Sequence, residues 1–148
     1  MVVRFQLTID CADPDRMAHF WAEALGYRIK APPAPFSTWT DYFVSKGFPK
    51  EEVESGGDDR LEDPTGAGPD IWFQQVEEGK VVKNRLHLDL RESGGRDVPL
   101  ELRKKRVNAA AERLVGLGAK LLEAWDETEI DHYAVQMQDP EGNEFDIN

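Results

Sequence analysis

The sequence lacks the features that mark several classes of protein. Its one cysteine, Cys11, excludes an internal disulfide and a cluster of thiolate metal ligands. No apolar run approaches about 18 residues, and the N-terminus has no charged segment followed by an apolar one, so we expect a cytoplasmic protein without a membrane partner. The chain also lacks a serine or cysteine nucleophile motif and a glycine-rich phosphate loop, which disfavours hydrolase and nucleotide-binding functions.

Basic residues are also scarce relative to acidic ones. The 148 residues include 18 Lys and Arg and 29 Asp and Glu, for a net charge of -11. This balance disfavours nucleic acid or an anionic membrane as a partner, because both would repel the protein. It would attract a cationic ligand, although acidic surfaces also serve solubility alone. The length suits one domain, or two half-domains that share a core.

Two segments alternate apolar and polar residues in the way that a half-buried strand does. Asn84 to Arg91 places leucines on one face and His87 and Asp89 on the other. Val3 to Asp10 has the same alternation, and each segment is followed by a helical stretch that closes in Leu-Gly. The chain therefore reads as one domain built from two copies of one unit, about residues 1–78 and 82–148.

The repeat also pairs polar positions of the two copies. Gln6 is predicted to correspond to His87, and Gln74 to Asp146. Within the first copy, Asp13-Pro14 begins a helix that Gly26 ends. The predicted strands that follow it are Tyr27 to Lys30, Phe36 to Ser45 and Asp70 to Val76. The segment from Lys46 to Pro69 is predicted to be a mobile loop, either a functional lid or a simple insertion.

The second copy is predicted to follow the same plan. A long helix runs from about Pro99 to Leu117, and its basic run from Arg103 to Arg106 is interpreted as a solvated face. The three strands after it are Lys120 to Trp125, Tyr133 to Gln138 and Glu144 to Ile147. The fold class is therefore α+β, with two βαβββ modules. Two four-stranded antiparallel sheets packed edge to edge would form a cupped, partly open β-barrel with the helices outside.

The outward side chains of these sheets define a candidate site. The residues expected to line the cup are Gln6, Thr8, Trp72, Gln74, His87, Asp89, Glu144 and Asp146. His87 and Asp146 can act there as a general acid–base pair, because an imidazole near a carboxylate titrates near neutrality. The alternative is a structural His87, hydrogen-bonded to Asp89 or Asp146. The aromatic residues that could line a pocket for a planar ligand, or simply form core, are Trp39, Trp72, Phe73 and Tyr133.

The chain resembles the vicinal oxygen chelate superfamily, the fold of glyoxalase I, extradiol dioxygenases, and bleomycin and fosfomycin resistance proteins. The likeness lies in Asp13-Pro14 through Tyr27, in Asn84 to Asp89, in Leu117-Gly118-Ala119 and in Asp139 through Asp146. More narrowly, the chain is similar to the glyoxalase-like group. The resemblance implies the α+β fold of two βαβββ modules, a small-molecule ligand and a homodimer.

The resemblance also implies a candidate metal centre. In metal-dependent members, paired strands supply His or Gln, Glu, His and Glu to one divalent ion. Carried over by position, the four ligands are Gln6, Gln74, His87 and Asp146. Gln74 replaces a carboxylate with a neutral amide, and Asp146 is one methylene shorter than Glu. Two outcomes stay open: one divalent metal ion (Ni, Zn, Mn or Fe), or no cofactor.

Two functions of different classes follow from the resemblance. An enzyme would be a lyase, isomerase or dioxygenase that acts on a vicinal-oxygen substrate, with the metal stabilising the developing oxyanion. The alternative is a non-catalytic, metal-free protein that sequesters a cationic compound, as the bleomycin resistance proteins do. The acidic balance and Gln74 favour sequestration, whereas His87 and Asp146 favour the enzyme. An interaction module without a small ligand is a third alternative.

Overall fold

The computed structural model describes residues 1–53 and 57–148, which divide into two compact units. The first unit is Met1–Glu78 and the second is Gly79–Asn148. Each unit contains a four-stranded sheet, and the two sheets have the same order of strands along the chain. This confirms the predicted α+β fold with two βαβββ modules. Their union into a single domain with an edge-to-edge cup stays a prediction.

The described residues of the first unit form four strands and three helices. In chain order these are β1 (Leu7–Cys11), α1 (Pro14–Leu25), β2 (Arg28–Ile29), α2 (Trp39–Ser45), α3 (Lys50–Val53), β3 (Arg60–Glu62) and β4 (Ile71–Gln75). The sheet order is β1-β4-β3-β2. The predicted antiparallel sheet is wrong in one respect, because β1 and β4 run parallel while the other pairs are antiparallel. The sheet is therefore mixed.

The helix α1 forms where its end signals predict it. The Asp13 carboxylate accepts a hydrogen bond from the backbone N–H of Arg16 at 3.1 Å, and Pro14 follows at the first helical position. Gly26 ends the helix with a φ of 68°, in the left-handed region where glycine has no side-chain clash. The buried face of α1 consists of Met17, Ala18, Phe20, Trp21, Ala22 and Ala24.

The predicted strand from Phe36 to Ser45 is wrong, because this segment contains the helix α2. The Thr38 hydroxyl accepts the backbone N–H of Asp41 at 3.0 Å and caps the helix. The Trp39 ring lies 5.7 Å from the Tyr42 ring and 5.8 Å from the Phe43 ring. These contacts join residues three and four positions apart, which is the spacing of one helix face. Alternating aromatic residues therefore misled the strand prediction.

The predicted loop from Lys46 to Pro69 is also wrong in part. It contains α3 and β3, and β3 lies between β2 and β4 in the sheet. Leu61 in β3 is fully buried and pairs with Ile71 on β4. Three residues are too few to show a strand period, so the sequence pattern does not reveal β3. The loop prediction for residues 54–56 lies outside the described residues.

The first predicted strand begins later than expected. The first hydrogen bond of its ladder joins the backbone N–H of Leu7 to the Asp70 carbonyl at 2.9 Å. Upstream of Leu7, Val3 and Phe5 are 82% and 70% exposed. The alternation from Val3 therefore exceeds the length of strand that has a partner.

The second unit repeats this plan with a longer helix and a shorter first strand. Its elements are β5 (Asp89–Leu90), α4 (Leu100–Gly116), β6 (Lys120–Glu127), a 3-10 turn (Thr128–Ile130), β7 (His132–Gln138) and β8 (Glu144–Ile147). The sheet order is β5-β8-β7-β6, and β5 runs parallel to β8. The predicted turn between the last two strands forms because the Asp139 carboxylate accepts the N–H groups of Glu141 and Asn143. No helix among the described residues is both long and apolar enough to span a bilayer.

The predicted strand from Asn84 to Arg91 is mostly wrong, because only Asp89 and Leu90 pair with another strand. The backbone N–H of Asn84 instead donates to the Glu144 carboxylate at 3.0 Å. Leu86, which was expected on the buried face, is 84% exposed. The segment at Asn84 is therefore bound by a side chain of β8, that of Glu144, and not by the backbone of β8.

The predicted solvated face of α4 is wrong for Arg103, which is buried. The Arg103 guanidinium donates to the Val98 carbonyl at 2.9 Å and to the Asp131 carbonyl at 3.1 Å, and it forms an ion pair with the Asp131 carboxylate. Lys105 and Arg106 are exposed, as predicted. Arg103 therefore ties the start of α4 to the turn before β7.

Candidate functional site

His87, Asp89 and Asp146 form a compact cluster in the second unit. The His87 Nε2 atom lies 3.2 Å from Asp89 Oδ1 and 3.4 Å from Asp146 Oδ2. Asp89 and Asp146 are partners in the parallel pairing of β5 with β8. Each of the three side chains offers a ligand atom, and these atoms all lie within 4.8 Å of one another. We call this group the β5/β8 cluster.

Asp146 is the least exposed member of the β5/β8 cluster. Its side chain is 13% exposed, against 39% for His87 and 50% for Asp89. Its Oδ1 atom is buried and has no hydrogen-bond partner among the described residues. A buried carboxylate oxygen without a partner costs about 1–3 kcal/mol of stability. Asp146 therefore has one buried acceptor without a partner, Oδ1, and a second oxygen, Oδ2, that faces the His87 imidazole.

Burial raises the pKa of the Asp146 carboxyl above its usual range. The charge of the nearby His87 opposes this shift in pKa and the Asp89 carboxylate adds to it, while a hydrogen bond from the Gln136 side chain and the charge of Lys83 also oppose it. A bound cation would lower the pKa of Asp146, because it favours the ionised carboxylate. The environment of Asp146 is thus unfavourable for an unpaired anion and suited to one that holds a cation.

The β5/β8 cluster fits a divalent metal ion. Its donors are one imidazole nitrogen and carboxylate oxygens, a mixture that suits Mn, Fe, Ni and Zn ions. The spacing of the donor atoms and the unpartnered Oδ1 of Asp146 agree with a shared ion. Asp89 was predicted to bind a ligand but not a metal. Strand alternation placed it beside His87, but its closeness to Asp146 depends on the pairing of β5 with β8.

Glu144 has a different environment from Asp146. Its carboxylate accepts the Asn84 N–H at 3.0 Å and lies 3.1 Å from the Lys80 ammonium. The Asn84 hydrogen bond lowers the pKa of Glu144 to about 2, and Lys80 contributes to the same shift against the effect of burial. Glu144 therefore anchors the segment that leads to His87. Its predicted contact with a ligand stays a prediction.

The remaining predicted site residues lie in the first unit. Gln6 and Thr8 are exposed, and the Gln6 amide donates to the Thr8 hydroxyl at 3.5 Å. Trp72 and Gln74 are half-buried on β4. The prediction that Gln6 and Gln74 complete a four-ligand metal centre with the β5/β8 cluster stays a prediction.

The strand registers do not allow both predicted pairings of the repeat. In the first sheet, the partner of Gln74 lies four positions after Gln6. In the second sheet, the partner of Asp146 lies two positions after His87. When Gln6 is aligned with His87, Trp72 and not Gln74 occupies the position equivalent to Asp146. The first module thus has an indole, and no carboxylate, at that place.

An aromatic cavity of about 420 Å³ lies in the first unit. It is lined by Trp39, Phe43, Asp59, Arg60, Trp72 and Gln74, among others. The Arg60 guanidinium lies 4.6 Å from the centre of the Trp39 ring and 5.8 Å from that of Trp72. One cation, the Arg60 guanidinium, is therefore part of the cavity wall and lies against its aromatic faces.

Asp59 holds Arg60 in this cavity. Its carboxylate accepts the Arg60 Nη1 at 3.0 Å and the Trp72 indole N–H at 3.0 Å. Burial raises the pKa of Asp59, while Arg60 and Trp72 oppose that shift. Both charged residues lie within the segment predicted to be a loop, so their place in a cavity was not predicted. Leu61 is the one apolar residue among the charged residues from Asp58 to Glu62, and such a sequence does not indicate which of them are buried.

A second group of two carboxylates and one imidazole occurs in the first unit. His19 Nε2 lies 3.6 Å from Asp58 Oδ2, and His19 Nδ1 lies 3.8 Å from Asp15 Oδ2. His19 Nδ1 also contacts the Asp15 carbonyl at 2.8 Å. The three side chains are about half exposed, at 58%, 51% and 48%. We call this group the α1 cluster; it has the donors of the β5/β8 cluster but not its burial.

Solved structures with the same fold include proteins of the glyoxalase type. A glyoxalase/bleomycin resistance protein/dioxygenase family enzyme from Burkholderia phytofirmans PsJN is 18% identical, with a TM-score of 0.58 over 97% of this chain and 94% of its own. A mutant of the fosfomycin resistance protein FosX from Listeria monocytogenes, complexed with Mn(II) and 1S,2S-dihydroxypropylphosphonic acid, is 12% identical. Its TM-score is 0.59 over 100% of this chain and 90% of its own.

FosX from Mesorhizobium loti is similar in the same way. It is 11% identical, with a TM-score of 0.58 over 99% of this chain and 91% of its own. A comparison with curated proteins finds no match. The profile of the glyoxalase-like domain matches residues 6–148. The chain therefore belongs to the glyoxalase-like domain family.

Proposed function

We propose that this protein is a metal-dependent lyase or isomerase that acts on a small molecule with two adjacent oxygens. The observation that supports this most strongly is the cluster itself: one imidazole and two carboxylates offer ligand atoms within 4.8 Å of one another, and the Asp146 carboxylate is largely buried with its Oδ1 unpartnered. A structural His87, hydrogen-bonded within the sheet, would leave the Asp146 Oδ1 atom without a partner. A divalent ion that contacts both oxygens of this carboxylate would provide one.

His87, Asp89 and Asp146 would hold the ion. When bound, a divalent ion supplies a Lewis acid that stabilises an oxyanion developing on the substrate. The FosX mutant binds Mn(II) together with a compound that has two adjacent hydroxyl groups. We extend that ligand class, adjacent oxygens, to this chain. Half-exposed Asp89 and His87 leave the cluster open to a small molecule.

The protein's own groups hold the ligand side chains in place. Asp89 and Asp146 are fixed by the pairing of β5 with β8, since the backbone N–H of Asp146 donates to the Leu88 carbonyl at 2.9 Å. His87 precedes β5 and relies on the anchor that Glu144 provides through Asn84. The role of Glu144 is therefore to position His87.

Metal-free sequestration of a cationic compound is the second candidate. The net charge of -11 supports it. The carboxylates of Glu51, Glu52 and Asp59 in the lining of the aromatic cavity also favour a cation. However, the Arg60 guanidinium already covers the Trp39 and Trp72 rings, which are the faces that would recognise a cationic ligand. We therefore rank sequestration below metal-dependent catalysis. A homodimer and a cytoplasmic location stay predictions.

A thermal-shift experiment with a neutral diol tests this proposal. The untagged protein is heated with MnCl2 alone, with catechol alone and with both. We expect Mn(II) to raise the melting temperature and catechol to add to it only when Mn(II) is present, because the ion provides the contact for the two oxygens. Equal stabilisation by catechol with and without Mn(II), or no effect of either, would contradict the proposal. Stabilisation by a cationic glycopeptide alone would favour sequestration.

A further inference from the structure

A second cavity, of about 600 Å³, lies in the second unit and is unusually basic. Three of the residues that line it are arginines: Arg91, Arg96 and Arg103. The others are Ser93, Gly94, Gly95, His132, Tyr133 and Asn148, so the described lining includes no aspartate or glutamate side chain. This is unexpected in a chain with 29 acidic and 18 basic residues. We call it the arginine cavity.

Two of the three arginines have donors to spare. Arg103 is engaged with Val98 and Asp131, and so forms part of the wall. Arg91 makes no hydrogen bond or ion pair with the described residues, and Arg96 makes one long hydrogen bond, at 3.4 Å, to a backbone carbonyl. A guanidinium has five N–H donors arranged as a planar fork. Arg91 and Arg96 therefore offer free forks for the oxygens of an anion.

The loop beside these arginines contains two adjacent glycines, Gly94 and Gly95, which let a ligand come close to the backbone. Gly94 and Gly95 both have positive φ angles, 88° and 91°, which other residues adopt with strain. A side-chain carbon at Gly94 would also displace the end of the Arg106 side chain, whose Nη1 atom lies too close to that position. Arg106 donates to the Ser93 carbonyl at 3.0 Å and braces the loop from outside.

A second set of bonds fixes the same loop to the sheet. The backbone N–H groups of Glu92 and Ser93 donate to the Asn148 carbonyl at 2.8 Å and 3.1 Å. Arg91 directly follows β5, whose pairing with β8 fixes the backbone at that end of the cavity. The cavity is thus lined by a braced loop, a strand end and a buried arginine. A preformed cavity of this size suits a small organic ligand.

We propose that the arginine cavity binds a small oxyanion, in the form of a phosphate or carboxylate group of a metabolite. Guanidinium groups bind such oxygens in pairs, through charge-assisted hydrogen bonds. Arg91 and Arg96 supply the charge, and Arg103 holds the wall between them and β7. This site is separate from the proposed metal centre in its residues and its ligand chemistry. It gives the protein a positive binding site despite its negative net charge.

Titration with inorganic phosphate, followed by amide NMR, tests the proposal. We expect phosphate to shift the Gly94 and Gly95 amides with saturation in the millimolar range, and the double variant Arg91→Gln, Arg96→Gln to weaken this by about 10-fold or more. The matched control removes two exposed charges elsewhere in the unit, Arg85→Gln with Lys105→Gln, and should change the affinity by less than about 2-fold.

A parallel titration with malonate separates the two sources of the anion. Tighter binding of phosphate would assign a phosphate ligand, and tighter binding of malonate a carboxylate one; both support the proposal. Absence of saturable shifts at Gly94 and Gly95 with either anion would overturn it. An equal loss in the control variant would also overturn it, because the effect would then come from net charge alone. Circular dichroism of each variant confirms that it is folded.

Discussion

The two modules share one strand order but differ in the chemistry of their outward side chains. Both sheets place a parallel strand pair beside two antiparallel strands. In the first module Thr8 pairs with Trp72, and in the second Asp89 pairs with Asp146. The same backbone pairing therefore presents a hydroxyl and an indole in one module and two carboxylates in the other. The two modules thus share one strand arrangement, and the difference in their chemistry comes from the side chains at equivalent positions.

The two histidine clusters sharpen this comparison. The β5/β8 cluster and the α1 cluster both contain one imidazole and two carboxylates with ligand atoms within 4.8 Å. They differ in burial: Asp146 is 13% exposed, whereas the α1 cluster is about half exposed throughout. Water and counterions compensate exposed carboxylates, but a buried one depends on a fixed partner. Burial is therefore the property that we expect to select the metal.

Replacement of one histidine in each cluster has the largest expected effect. We expect His87→Ala to weaken Mn(II) binding by about 100-fold, because it removes a ligand from a small donor set. His19→Ala, the matched control, should weaken it by less than about 2-fold. Isothermal titration of each variant measures both values. Equal affinity in the two variants would remove the distinction between the clusters.

Removal of Arg60 should destabilise the first module by about 2 kcal/mol, because Arg60→Ala leaves the Asp59 carboxylate buried without its cation. The matched control is Arg28→Ala on the neighbouring strand, whose ion pair with Glu62 is exposed and should contribute less than about 0.5 kcal/mol. Urea unfolding measures both. A cost for Arg60→Ala as small as that of the control would show that Asp59 does not need its partner.

Replacement of Glu144 should cost about 1 kcal/mol at neutral pH, and this cost should depend on acidity. The pKa of Glu144 is lowered to about 2 in the folded protein, so the ionised carboxylate stabilises the fold above its ordinary pKa of 4.5. That stabilisation is lost as the pH falls from about 4.5 to about 2. Urea unfolding of Glu144→Gln should therefore converge with wild type towards pH 2. Glu112→Gln, at an exposed position on α4, should differ little at any pH.

Replacement of Asp146 should have the smallest effect on stability, with the opposite sign. Its pKa is raised in the folded protein, so folding disfavours the ionised form. The protonated Asp146 carboxyl therefore stabilises the folded wild type, and this contribution is lost as the pH rises through the raised pKa of Asp146. We expect Asp146→Asn to stabilise the metal-free protein by less than about 1 kcal/mol at neutral pH. Thermal unfolding in a chelating buffer measures this, and strong destabilisation would mean that the carboxylate is already paired.

Local signals explain which elements were predictable. Asp13, Pro14 and Gly26 fix both ends of α1 by contacts within the helix, and α1 was predicted correctly. The helix α2 was missed because alternating aromatic residues satisfy a strand pattern as well as a helix face. The strand β3 depends on its partners β2 and β4, and β5 depends on its partner β8. These partners are distant in the chain, so a short window of sequence cannot define either strand.

The candidate site was predictable in its residues but not in its environment. Strand alternation and the internal repeat placed His87, Asp89 and Asp146 in the cup, and the family resemblance selected His87 and Asp146 as metal ligands. The buried Oδ1 of Asp146 results from packing of β5 and β8, and no single stretch of sequence encodes it. The burial of Asp59 and Arg103 was missed for the same reason. Charged residues are usually exposed, and these become buried only through partners distant in the chain.

Mn(II) binding by wild type and Asp146→Asn, measured by electron paramagnetic resonance on untagged protein, tests the central claim most directly. The variant keeps the shape of the side chain and removes its charge, and the account predicts that it leaves the apo fold intact. Wild type should bind one Mn(II) per chain, and Asp146→Asn should lose that ion at the same concentration. Absence of stoichiometric Mn(II) in wild type, or equal binding in the variant, would contradict a metal centre built on Asp146.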